Sequence, residues 1–180
     1  MKLCILGDTH FGARGDSLDF HKYFQKFYDE VFFPYLIDNK IDVVFQMGDL
    51  FDRRKFINFN SLYLARKYFF NKLKQHNIKL YTLVGNHDVA YKNTLEVNSP
   101  GLLLNDYDNI EIFEKFDTIE FDGVLVDIVP WICDDNANDI FTKMKESKAQ
   151  ICFGHFEISG FDRKSTRLNS SHVSESRMPS

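Results

Sequence analysis

Apolar residues in this chain gather into short runs, and four of those runs stop at residues that bind metals. Leu3-Cys4-Ile5-Leu6, Val43-Val44-Phe45, Leu80-Tyr81-Thr82-Leu83-Val84 and Ile151-Cys152-Phe153 are the runs. After them come Asp8-Thr9-His10, Gly48-Asp49, Gly85-Asn86-His87-Asp88 and Gly154-His155. Runs this short, rich in Val, Ile, Leu and Phe and closed by Gly, predict buried strands. Between the first two, Phe20, Tyr23, Phe24, Phe27, Val31, Tyr35 and Leu36 recur at three and four, which predicts a helix from Leu18 to about Asn39. Leu62, Leu64, Ala65, Tyr68, Phe69 and Leu73 predict a second helix, capped by Asn60 or Ser61 and closed at Asn77.

Strands separated by helices imply parallel pairing with right-handed crossovers. Beyond Tyr91 the pattern changes to short strands at Ile110 to Phe113, Thr118 to Phe121 and Val124 to Val129, with a hairpin at Asp122-Gly123. A short helix near Ala137 to Ser147 leads back to the strand before His155. The pattern describes one layered α/β domain of β-sheets flanked by helices.

Composition adds little to this picture until its last stretch. A chain of 180 residues suits a single domain, and nineteen Phe suggest bulky packing between helices and sheet. Cys4, Cys133 and Cys152 lack metal spacing and read as buried free thiols of a reducing compartment. Met1 leads straight into the first strand, and no apolar stretch nears the ~20 residues of a membrane span, so a cytoplasmic chain without a membrane association is expected.

From Asp162 both periods vanish, and six of the last nineteen residues are Ser. Residues 162–180 resemble a translated sequencing-library adapter, Ser176-Arg177-Met178-Pro179-Ser180 included. The expectation is therefore a domain over residues 1–161, cut off before its natural end, and a non-native tail. Without the tail's four basic and two acidic residues, the net charge moves from −4 to −6.

The chemistry lies at the four strand ends. Ligands in open α/β sheets bind beyond the carboxyl ends of the strands, so carboxylate, imidazole and amide groups from these patches can converge there. An isolated Asp-x-His or Gly-Asp is more often a turn or a cap than a ligand pair. The four together, each directly after a strand, point to a site for metal, and for two ions. His21 and His76 sit in or beside helical segments and are expected to be exposed, and His172 falls in the tail.

This set resembles the calcineurin-like metallophosphoesterase superfamily, and within it the SbcD-type DNA nucleases, most of all the recombination endonuclease subunits of tailed bacteriophages. The likeness spans Met1 to Phe161 and includes Gly48-Asp49-Leu50-Phe51-Asp52, Val84-Gly85-Asn86-His87-Asp88, Ile128-Val129-Pro130-Trp131 and Gly154-His155-Phe156-Glu157. The resemblance implies two divalent metal ions, usually Mn²⁺. Asp8 and His10 would hold the first, Asn86 and His155 the second, and Asp49 would bridge them. His87 would stand beside the scissile phosphate, with Asp88 orienting it, and Asp52 occupies the position where some of these nucleases carry a second histidine. It also implies DNA as substrate, an SMC-like ATPase partner of the SbcC type, a homodimer in the full-length protein, and work in the bacterial host cytoplasm if the gene is carried by a phage. Mixed oxygen and imidazole ligation suits Mn²⁺ better than thiolate metals.

These enzymes close the site with a downstream Gly-His-x-His, which this sequence lacks, so the chain as written is expected to be impaired. The alternative is a protein phosphatase or a small-molecule phosphodiesterase of the same superfamily. Asp52-Arg53 after the Gly48-Asp49 turn resembles the phosphatase pattern, whereas Arg54 stands where phosphatases place Gly. Arg14, Arg53, Arg54, Lys55 and Lys92 follow the metal loops and are candidates to meet phosphates, as against plain solvated loop charges.

Overall fold

The computed structural model describes residues 2–157. The proposed tail at 162–180, with its His172, lies outside the described residues. Among these, no helix is long and apolar enough to cross a membrane.

Three of the apolar runs become β1 (Cys4–Leu6), β2 (Val43–Gln46) and β3 (Lys79–Leu83), joined by β4 (Ile110–Phe113) in one parallel sheet of order β1-β2-β3-β4. Its register places Cys4 beside Val44, Val44 beside Leu80, and Leu80 beside Ile110. Alternation along the strands sends that row to one face, where the helices cover it. Phe45, Leu83 and Phe113 point to the other face and meet Val126 and Ile128 of a second sheet. That sheet holds β5 (Asp117–Phe121), β6 (Val124–Val129) and β7 (Ile151–Gly154), with β5 antiparallel and β7 parallel to β6. The run that ends at His155 therefore belongs to a different sheet from the other three, and the two sheets face each other.

The helical layer begins with a short turn, α1 (Ala13–Asp16), in which Arg14 and Gly15 are left-handed. The predicted helix from Leu18 is α2 (Leu18–Phe27), a π-helical turn at Tyr28–Phe32, and α3 (Phe33–Asp38). Phe33 N–H reaches back to the Tyr28 carbonyl, and Pro34 in the next position has no N–H to continue an α ladder. The second helix repeats the device: α4 (Phe59–Ala65), a π turn at Arg66–Phe70, and α5 (Asn71–Gln75). Its cap is Asn58, whose side chain accepts from Asn60 N–H, so the helix starts two residues before the expected Asn60. Many of the Phe residues are explained here, because Phe11, Tyr28, Phe32, Tyr68 and Phe69 interlock across the seam, with Tyr28 stacked on Tyr68 at 5.7 Å.

Beyond β3, a helix not foreseen in the sequence, α6 (Ser99–Leu103), is capped by Asn98, which accepts from Gly101 N–H. The helix α7 (Ala137–Glu146) falls where expected. Two expectations need correction. His21 is buried, not exposed, because α4 and the π turn after it pack over it with Ser61 and Tyr68. Of the three free thiols only Cys133 is buried; Cys152 is exposed because β7 is the edge strand of its sheet.

Candidate metal centre

Adjacent strands deliver Asp8, Asp49 and Asn86 to one end of the first sheet, and β7 delivers His155 from the facing sheet. The loops that carry them are stitched together by backbone. His10 N–H donates to the Asp49 carbonyl at 3.0 Å, and Phe11 N–H to the Leu50 carbonyl at 2.7 Å. Phe11 and Phe51 are buried directly beneath, so the loops rest on the aromatic core. His10 (φ 43°) and Asp49 (φ 52°) are both left-handed, a costly conformation for side chains of this kind.

The turn at Gly48 (φ 95°) has no room for a side chain, since a Cβ there would lie 2.6 Å from His155 Nδ1. A Cβ at Gly85 would collide with the backbone nitrogen and carboxylate of Asp49. Gln46, fully buried in β2, holds the turn: its carbonyl oxygen accepts from Gly48 N–H at 3.0 Å and from the Thr82 hydroxyl at 2.7 Å. The sequence reading passed over Gln46, although an amide inside an apolar strand is the signal that marks it.

Two groups of side chains form around the Asp49 carboxylate. On one side, His10 Nε2 lies 3.8 Å from Asp49 Oδ2 and 4.0 Å from Asp8 Oδ2. On the other, His155 Nε2 lies 3.6 Å from Asp49 Oδ1 and 2.9 Å from the Asn86 amide. The His155 Nδ1–H donates to the Met47 carbonyl at 2.7 Å, so Nε2 of the neutral ring presents a lone pair to the carboxylate. His10 Nδ1 is shielded from solvent without a hydrogen-bond partner among the described residues. On the His155 side, the Nε2 lone pair and the Asp49 carboxylate converge, and either a donor turned in from Asn86 or a cation relieves their repulsion. The donor set of two carboxylates, two imidazoles and an amide fits two divalent ions that share Asp49.

The Asn86 amide can also turn. With its nitrogen inward it donates to His155 Nε2 at 2.9 Å and Asp49 Oδ2 at 3.3 Å, while its oxygen accepts from Arg54 Nη2 at 3.2 Å. With its oxygen inward it is a metal ligand.

His87 stands at the same centre, with one ring nitrogen, a carboxylate oxygen of Asp49 and a ring nitrogen of His10 within 4.8 Å of one another. Its backbone N–H donates to Asp49 Oδ1 at 2.7 Å, and its Nδ1–H to the Asp52 carbonyl at 2.8 Å, which leaves Nε2 for a ligand. The Asp88 carboxylate does something other than orient that ring. It turns inward and accepts from Gly85 N–H at 3.0 Å and from Leu50 and Phe51 N–H at 3.2 Å each. The Asp88 N–H donates to the Gly85 carbonyl at 3.2 Å, closing a turn in which Asp88 fastens the Asp49 loop to the Asn86 loop while the His87 ring stands beside Asp49 and His10. Burial pushes the Asp88 carboxyl up to about 6, against the pull of those N–H groups.

The basic residues divide similarly. Arg53 Nη1 pairs with Asp16 Oδ2 at 3.3 Å, and Arg14 lies over the Phe20 ring, so both are committed to the helical side. Arg54 is the arginine that reaches the metal loops. The Asp52 carboxylate approaches His10 Nδ1 at 3.6 Å.

Comparison with known proteins gives a consistent picture. The family model for the calcineurin-like phosphoesterases matches residues 1–175. Exonuclease subunit 1 of Enterobacteria phage T4 is 37% identical over 161 residues, covering 89% of this chain and 47% of the phage protein. The DNA double-strand break repair protein Mre11 of Sulfolobus acidocaldarius is 28% identical over 83% of this chain and 38% of its own length. Its namesake from Methanocaldococcus jannaschii is 34% identical over 68% of this chain and 32% of its own length.

Proposed function

The chain belongs to the calcineurin-like phosphoesterase family, and on that premise we propose that it hydrolyses phosphodiester bonds in DNA with two divalent ions, Mn²⁺ by preference. It spans about half the length of the phage relative and about a third of the archaeal ones, so the activity of the whole protein is part of the proposal. The observation that carries it is the pair of lone-pair clusters sharing Asp49, with His87 free beside them.

Asp8, His10 and Asp49 would hold one ion, and Asp49, Asn86 and His155 the other. Bound there, the pair would acidify a water and neutralise charge on the phosphate. His87 then has a defined task. Its Nδ1 proton is committed to the Asp52 carbonyl, so Nε2 is the atom that, when protonated, faces the leaving oxygen and gives up its proton. Asp88 supports this at a distance, by holding the loops that carry Asp49 and His87 in register.

A DNA substrate and a partner assembly are supported by the relatives, two of which are named for DNA break repair and one as a subunit. The partner would be an SMC-like ATPase, and the setting the host cytoplasm. The phosphatase reading loses its arginine clamp, because Arg53 is held by Asp16. Duplex DNA, a phosphoserine peptide and a cyclic nucleotide, offered separately with Mn²⁺, test the assignment. Selective hydrolysis of DNA supports it, and selective hydrolysis of the peptide overturns it.

Each ion would have three protein ligands among the described residues. A chain extended with a downstream Gly-His-x-His is expected to bind Mn²⁺ more tightly, and equal calorimetric affinity would reject that closure. The boundary at Phe161 is likewise our proposal, tested by one clean read of the gene past that codon.

A further inference from the structure

Arg54 is held at the metal centre in a way that leaves its donors unspent. Its guanidinium carbon lies over the Trp131 ring, 5.7 Å from its centre, within reach of a cation–π contact. Trp131 is fastened in turn, since its N–H donates to the Val84 carbonyl at 2.9 Å, just before the Asn86 loop, and its carbonyl accepts from Asn136 Nδ2 at 3.0 Å. Arg54 Nη1 is shielded from solvent and has no hydrogen-bond partner among the described residues. Among the described residues, Nη2 has a hydrogen-bond partner when the Asn86 oxygen faces it, at 3.2 Å.

That last contact conflicts with ligation. An Asn86 oxygen that turns inward to a metal puts the amide nitrogen opposite Nη2, donor against donor. The guanidinium then has two N–H groups without an acceptor, beside a dicationic centre and pinned on a ring. A shielded, unpaired donor of a charged group is costly, and an oxyanion is the acceptor that would satisfy both arms of the planar fork.

We propose that Arg54, braced by Trp131, anchors a non-bridging oxygen of the substrate phosphate, and that metal binding arms it by drawing the Asn86 oxygen away. The anchor rests on the hydrolase reading above. It makes phosphate and metal mutually supportive ligands: each ion bound at Asn86 frees Arg54 for phosphate, and phosphate on Arg54 favours the ligating turn of the amide.

Trp131 is the only tryptophan of the chain, so its emission reports on this corner. Inorganic phosphate is titrated into the full 180-residue chain with and without Mn²⁺, while calorimetry gives the Mn²⁺ affinity. In the wild type, Mn²⁺ is expected to raise phosphate affinity. Arg54→Ala should lower phosphate affinity in the presence of Mn²⁺ about tenfold or more, with Mn²⁺ affinity kept or slightly raised. Arg54→Lys keeps the charge without the fork and should fall between the two; it carries the comparison if the alanine variant does not fold. Wild-type phosphate affinity in Arg54→Ala, with Mn²⁺ still bound, overturns the anchor and leaves the hydrolase reading standing. A wild-type chain that takes up no Mn²⁺ overturns that reading and the anchor with it.

Discussion

In the seam between α2 and α4, His21 Nε2 lies 2.8 Å from Ser61 Oγ and Nδ1 lies 3.0 Å from the Tyr68 hydroxyl. Ser61 donates onward to Asp16 Oδ1 at 2.7 Å, which fixes the whole chain of protons: Tyr68 donates to Nδ1 and Nε2–H donates to Ser61. Every ring nitrogen there has a partner of the right kind. In the metal crevice, among the described residues, His10 Nδ1 and Arg54 Nη1 have no hydrogen-bond partner, and the imidazoles of His10 and His155 stand 3.8 and 3.6 Å from the one Asp49 carboxylate. Buried polar groups are normally satisfied, so the closed cluster reads as architecture, and the open one is where we propose that a ligand binds. Residue type does not separate them; the count of unmet donors and acceptors does.

The largest effect should come from removing the atom that the two halves of the crevice share. Asp49→Ala is expected to abolish both Mn²⁺ uptake, read by calorimetry, and hydrolysis. One ion retained at near wild-type affinity would show that the two clusters do not depend on a common bridge. Next in size is His87→Ala, expected to cut hydrolysis about 10²–10⁴-fold while metal affinity is nearly unchanged. Since His87 lies within ligating reach of Asp49, loss of an ion in that variant would make it a ligand instead of a proton donor.

The closed cluster should respond in the opposite currency. Ser61→Ala strands His21 Nε2 and an oxygen of Asp16 in a buried place, at a cost of about 1–3 kcal/mol, and should lower the melting temperature by several degrees. Mn²⁺ affinity should stay put. A metal-binding defect without a thermal one would collapse the distinction between the two regions.

How much of this was legible beforehand depends on whether a feature is local. Strand ends were, because an apolar run and the ligand that stops it are neighbours in sequence. Three of the four strands of the parallel sheet and the α2 and α4 helices followed for the same reason. The π turns were not, since widening a helix to place Tyr28 against Tyr68 is a tertiary event without a period of its own. His21 was read as exposed because it lies in a helical segment away from the strand ends, and the groups that bury it arrive forty residues later. Asp88 and Arg53 were read by adjacency to His87 and to the Gly48 turn, whereas the groups that take them up, backbone N–H of Leu50 and Phe51 for Asp88 and the Asp16 carboxylate for Arg53, lie more than thirty residues away in sequence. α6 had usable signals in Asn98 and Pro100 that went unread.

The smallest effect, and the one most specific to the closed cluster, is its response to acid. Burial holds the His21 imidazole below its ordinary value of 6.5, with Asp16 pulling weakly the other way. The unfolded chain regains that ordinary value, so below it the unfolded state binds the proton more readily than the folded one. Stability from this group is therefore full well above pH 6.5, begins to drain as the pH falls to that value and drains further through the window below. Asp88 has the opposite sign: its folded value of about 6 lies above the ordinary 3.8, so between those values the folded chain holds the extra proton and gains on acidification. The cleanest reading thus comes from the step between about pH 7.5 and pH 6.5, above the Asp88 value. With metal chelated, the wild type should lose melting temperature over that step. His21→Gln, which can still bond to Ser61 and Tyr68 but does not titrate, should lose less. An equal loss in both would place the acid-labile group elsewhere.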